Sequence, residues 1–92
     1  MSLSFEWDDG KDRLNIEKHG FSMALGAEVW KDGKKIELTD ERFDYGEKRL
    51  ITVGECDGDI LSVCWTPRGG NVRLISVRCA NRKERKKYYG NR

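Results

Sequence analysis

Ninety-two residues, 37% hydrophobic and 37% charged, make one small domain over residues 1–92 with a modest core. Three tryptophans, three tyrosines and three phenylalanines supply the apolar area that a wholly disordered chain lacks. No apolar run approaches the ~18 residues of a membrane span and no signal peptide is apparent, so a cytoplasmic location is expected.

The formal net charge of +2 conceals a division. Residues 67–92 hold nine of the eighteen Lys and Arg and one of the sixteen Asp and Glu, a net of +8, whereas residues 1–66 carry a net of −6. A basic half of this kind points to a polyanionic partner, often nucleic acid. The cysteines, Cys56, Cys64 and Cys79, are odd in number and form no CxxC. That argues against a disulfide framework and against a cysteine-pair zinc site, and they read as three small core residues.

In chain order, SFEW (4–7) reads as a short strand. Asp8 caps a helix from about Asp9 to His19, which Gly20 stops. Ser22 caps a second helix through about Trp30, with Met23, Ala27 and Trp30 on one core-facing stripe. KKIELT (34–39) is a strand, DERFDYGEK (40–48) a polar loop, and RLITVGEC (49–56) a β-branched strand. Asp57-Gly58 is a two-residue hairpin turn into DILSVCWT (59–66). PRGGN (67–71) turns again into VRLISVR (72–78), and Asn81 caps a last helix over about 82–89. The order β-α-α-β-β-β-β-α implies an α+β fold: a small twisted antiparallel sheet with two N-terminal helices and a C-terminal helix packed on it.

FEWD (5–8), KHG (18–20), GEKR (46–49), RLISVR (73–78) and ANRKER (80–85) with Tyr88 follow one another as in the BrnT family, which this chain resembles over about residues 5–88. The resemblance implies a RelE-like fold and endoribonucleolytic cleavage of mRNA that arrests translation. It also implies a small DNA-binding antitoxin of the BrnA, ribbon-helix-helix type as partner in a hetero-oligomer. The chain departs from the family pattern at Asp8-Asp9-Gly10-Lys11, where Asp-Pro-x-Lys is usual, at Ser22-Met23-Ala24, and at Trp30, where Phe is commoner. These positions bear on helix stability and packing and leave the basic residues untouched.

Ribonuclease chemistry without a metal or other cofactor needs fixed positive charge on the phosphate, an aligned 2′-hydroxyl and a proton donor for the leaving 5′-oxygen. Candidate catalytic residues are His19, Arg68, Arg78, Glu84 and Tyr88; candidate RNA-binding residues are Lys18, Arg73, Arg82 and Arg85. Arginine matches phosphate with its planar fork. Arg73 and Arg78 are five apart, so in an unbroken strand they face opposite ways: either a bulge unites them or only one serves the site. Arg73 also has a plain role as an ion pair with the acidic half. Arg68, in the turn, should lie ~20 Å from Arg78 along the hairpin. Glu84 either orients Arg78 or a helix lysine, or acts as general base. Tyr88 either donates to substrate or packs on the sheet. His19 either shuttles a proton or answers the helix dipole, and Lys18 either meets phosphate or is solvated. Two other readings use the same basic third: a non-enzymatic nucleic-acid-binding module, and a structural subunit docking an acidic partner.

Overall fold

The computed structural model describes residues 3–41 and 46–90. Of the expected polar loop at 40–48, residues 42–45 lie outside the described residues. In chain order the elements are β1 (Phe5–Glu6), α1 (Asp9–His19), α2 (Met23–Ala27), a 3-10 helix (Glu28–Lys31), β2 (Ile36–Thr39), β3 (Leu50–Cys56), β4 (Asp59–Arg68), β5 (Asn71–Cys79) and α3 (Arg82–Gly90). The fold is α+β.

The strands form one sheet in the order β1-β5-β4-β3-β2. β2 to β5 are an antiparallel meander, as expected, but β1 pairs with β5 in parallel, Phe5 opposite Val72 and Glu6 opposite Arg73. The sheet is therefore mixed, not antiparallel throughout. Two residues are too few for a pattern to reveal their direction; what holds them is the Val72 N–H donating to the Ser4 carbonyl at 2.8 Å and the Glu6 side chain bonding Asn71 and Arg73.

Turn chemistry sets the hairpins. Asp57 and Gly58 both have positive φ, 49° and 87°, the backbone of a type I′ turn whose twist matches the strands. The second turn contracts from the expected 67–71 to Gly69-Gly70, also both at positive φ. Pro67 stays on β4 opposite Val72. It is tolerated there because β3 reaches only Leu50, opposite Trp65, so no neighbour on that side asks Pro67 for an N–H.

α1 starts on Asp8, whose carboxylate accepts from the Lys11 N–H at 2.9 Å, and ends on Gly20 at φ 82°. Ser22 caps α2 through the Leu25 N–H at 3.1 Å. The second helix is shorter than expected and tightens into the 3-10 turn, which buries Val29 completely. Gly26 permits the close approach: a Cβ there would stand 2.4 Å from Val77 Cγ2.

One sheet face carries Leu61, Val63, Trp65, Leu74 and Val77 and is covered by Met23, Val29 and Trp30 from the N-terminal helices. Each large apolar side chain buried here contributes roughly 1.5–3 kcal/mol. The other face carries Ile51, Val53, Ile60 and Cys64 and receives Tyr88 of α3. Cys56 and Cys64 are buried and free; Cys79, at the end of β5, is exposed and is not a core residue.

β5 is bulged. Cys64 pairs with Ser76 but Trp65 with Leu74, leaving Ile75 without an opposite residue. The extra residue reverses the alternation of side chains beyond it. Arg73 stands opposite Thr66 and Arg78 opposite Ser62, four apart on β4 and hence on one face. The bulge alternative is the one the fold adopts.

Candidate functional site

The site grows from the junction of β5 and α3. Asn81 and Glu84 form a reciprocal capping box: the Glu84 N–H donates to Asn81 Oδ1 at 2.8 Å and the Asn81 N–H donates to Glu84 Oε1 at 2.9 Å. The same buried carboxylate receives both Arg78 guanidinium nitrogens, at 2.8 and 3.0 Å, and the Ser62 hydroxyl at 3.1 Å. Burial pushes the Glu84 carboxyl up. The Arg78 hydrogen bonds and charge, the Asn81 N–H and Ser62 outweigh it and hold the group below the ordinary glutamate range. Glu84 is thus an ionised, hydrogen-bonded anchor, chemically a poor base. Arg78, also bonded to the Cys79 carbonyl at 3.2 Å, keeps 26% of its side chain exposed, a fixed cation presented to solvent.

At the other end of β5, Arg73 donates to Glu6 at 2.8 Å and Asn71 to the same carboxylate at 3.2 Å. Asn71, Arg73 and the nearby charge of Arg68 together outweigh desolvation and lower the Glu6 carboxyl. Arg73 thus has the ion pair with the acidic half among its roles. Arg68 is exposed at the hairpin tip, six positions along β4 from the partner of Arg78, about 20 Å. That separation is too great for both to reach one phosphate.

Lys18 and His19, in the last turn of α1, line a hollow against β5 that includes Ser76, two residues from Arg78 on the same face. α1 is held to that strand by the buried Asn15, whose side chain bonds the Val77 backbone. Asp12 ties α1 to α2 by accepting from the Met23 N–H at 2.7 Å.

Along α3, Arg82 and Arg85 are exposed, and Arg85 Nε donates to the Ala80 carbonyl at 3.2 Å. Tyr88, one turn beyond Glu84, is 2% exposed. Its hydroxyl donates to Asp32 at 2.6 Å. Asp32 also accepts from the Glu55 and Lys34 N–H groups. Burial raises the Asp32 carboxyl, but these bonds and Lys35 prevail and lower it. Tyr88 faces a cleft of about 420 Å³ lined by the carboxylates of Glu28, Asp32, Glu55 and Asp57 and by Lys31 and Lys34, a net acidic surface and a poor one for phosphate.

Of the nominated residues, the structure joins Arg78 to Glu84, sets Arg73 on the same face as Arg78, and places Lys18 and His19 beside the strand that carries both. It leaves Arg68 distant and turns Tyr88 to Asp32. Ser62, Ser76, Asn15 and Asp32 were not legible as participants; only the Asn81-x-x-Glu84 spacing announces its role. Among the described residues no group of three or more His, Cys, Asp or Glu is placed to hold a metal ion, and no helix is long and apolar enough to cross a membrane.

A family model described as the ribonuclease toxin, BrnT, of type II toxin-antitoxin systems matches residues 7–84. The span includes His19, Arg68, Arg73, Arg78 and Glu84 and ends before Arg85 and Tyr88. No curated protein matches the chain.

Proposed function

The chain belongs to the BrnT family of ribonuclease toxins of type II toxin–antitoxin systems, and from that premise we propose that it cuts mRNA endonucleolytically, without a metal, at the face of β5 that carries Arg78. The observation that carries this reading is the Arg78–Glu84 fork: an arginine held by two bonds to an ionised carboxylate, itself held by Ser62 and Asn81. Such a guanidinium costs no reorganisation when charge builds on a phosphate.

In this scheme a ribose 2′-oxygen attacks its own 3′-phosphate. The bond to the 5′-oxygen of the next nucleotide breaks, leaving a 2′,3′-cyclic phosphate and a 5′-hydroxyl. Arg78 neutralises the dianionic crowded phosphorus. An arginine does not give up its proton at working pH, so His19 is assigned the proton at the leaving oxygen or at the 2′-hydroxyl. Lys18, Arg73, Arg82 and Arg85 hold flanking phosphates, and Arg68 reaches a more distant one. Glu84 positions Arg78, and Tyr88 fixes α3 through Asp32.

The partner is assigned as a BrnA-like ribbon-helix-helix antitoxin acting in the cytoplasm, and it inhibits by covering this basic face. A contact of that kind relieves the self-repulsion of residues 67–92 and excludes RNA at once. The test is cleavage of a defined single-stranded RNA by antitoxin-free protein in EDTA. Products ending in 2′,3′-cyclic phosphate, suppressed by antitoxin, support the reading. RNA binding with no cleavage by folded protein would replace it with a binding module.

A further inference from the structure

Between α1 and the bulge of β5 lies a hollow of about 190 Å³. We infer that it is a nucleobase subsite, receiving one unstacked base of single-stranded RNA beside the phosphate held by Arg78; the inference rests on the ribonuclease reading above.

Four observations converge on that occupant. The first is size. The hollow holds the volume of about six waters at ~30 Å³ each, below the ~300–1,000 Å³ of pockets for larger ligands. The second is the wall. Leu14 and Ile75 give apolar surface, His19 a flat aromatic ring, and Ser76 a single hydroxyl, the combination by which proteins stack an unpaired base and read one edge of it. Asn15 lies at the hollow with its amide spent on Val77 and Phe21, so it adds support and not a reading group.

The third is charge. Lys11 and Lys18, two turns apart on α1, are the ionic groups of the lining, and no carboxylate is among them. The larger cleft beside Tyr88 shows the contrast, with four carboxylates against two lysines, Lys31 and Lys34, in its wall. A cationic rim around an apolar floor suits a base that carries its phosphates with it. The fourth is position. Ile75, the unpaired residue of the bulge, lies in the hollow, and Ser76 stands about 7 Å along the strand from Arg78. Bulges occur beside functional sites; here the reading hydroxyl and the phosphate-holding guanidinium, two residues apart just beyond the bulge, share one face.

The test is cut-site profiling on a random single-stranded RNA pool with the wild type, Ser76→Ala and Leu14→Glu. Leu14 is 64% exposed, so its replacement spares the core, and circular dichroism verifies both folds. The wild type is expected to prefer particular bases at one position adjoining the cut. Ser76→Ala should relax that preference about tenfold, and Leu14→Glu should raise KM on preferred sites with a smaller change in kcat. An abasic nucleotide at that position should slow the wild type and affect Leu14→Glu less. Unchanged profiles in both variants with cleavage intact would overturn the subsite and leave the ribonuclease standing. If the wild type cuts nothing, the ribonuclease reading fails, and oligonucleotide anisotropy judges the hollow: affinity lost in Leu14→Glu supports it, and unaltered affinity ends it. Loss of antitoxin affinity with RNA binding intact would make the hollow a protein anchor and also overturn the inference.

Discussion

Asn15 completes the sheet edge at Val77. Its Nδ2 donates to the Val77 carbonyl at 2.8 Å and its Oδ1 accepts from the Val77 N–H at 3.1 Å, the two bonds a neighbouring strand would make. β1 reaches along β5 only to Arg73, so beyond it the edge is open to pairing with another chain. The same Nδ2 donates to the Phe21 carbonyl at 2.7 Å, which also fixes the approach to α2. Asn15→Ala strips partners from buried backbone groups and is expected to cost roughly 2–3 kcal/mol. Thermal melts should register each kcal/mol as ~4–8 °C for a domain of this size. A shift under 2 °C would show that water replaces the side chain without loss.

Glu84 carries a pH signature. Its pKa is lowered by folding, so the stability it contributes is complete above the ordinary glutamate value near 4.3 and is lost as pH falls through the lowered one. Glu84→Gln should therefore be less stable than wild type at pH 7, by about 2 kcal/mol for a partly buried arginine left without its partner. The gap should narrow as pH drops below ~4. Chemical denaturation at several pH values measures it; a gap that widened in acid would refute the assignment of an ionised carboxylate.

Tyr88 tests structure against chemistry. Its hydroxyl bonds Asp32, which retains the Glu55 and Lys34 N–H groups when that bond is removed. Tyr88→Phe should cost about 1 kcal/mol and leave kcat within a few-fold of wild type. A hundredfold fall in kcat with stability intact would return the hydroxyl to the reacting phosphate.

The parts of this architecture with local codes were legible. Asp57-Gly58 can close a type I′ turn between β-branched runs, and Asp8, Ser22 and Gly20 mark helix ends by their own hydrogen bonds or φ. The Asn81-x-x-Glu84 spacing of the capping box is equally local, although the sequence alone left Glu84 between orienting a cation and acting as base. What remained hidden depends on long-range register. Nothing in RLISVR marks Ile75 as the residue left unpaired, and without that bulge Arg73 and Arg78 belong to opposite faces. The parallel pairing of Phe5-Glu6 with β5 joins residues 67 apart. Tyr88 and Asp32 are 56 apart, so whether the phenol met substrate or scaffold awaited the fold.

Arg78 carries the heaviest claim, and Arg78→Lys isolates it. Lysine keeps the charge and the ion pair with Glu84 within reach, so folding and electrostatic attraction for RNA should survive. It has no planar fork. One ammonium cannot both bridge the two Glu84 oxygens now spaced by the guanidinium and hold two phosphate oxygens as charge develops between them. The loss should fall on the transition state more than on the bound state: kcat down by roughly 10²–10³, the scale of removing one preorganised donor from an oxyanion, with KM and the salt dependence of RNA binding little changed. Arg73→Ala offers the opposite pattern, because Arg73 sits at the far end of the bulged strand with Glu6. It should weaken RNA binding and reduce the salt slope by about one while kcat at saturation holds. Single-turnover cleavage beside equilibrium binding at three salt concentrations separates the two. Equal loss of kcat in both variants, or wild-type kcat in Arg78→Lys, would move the catalytic cation away from Arg78.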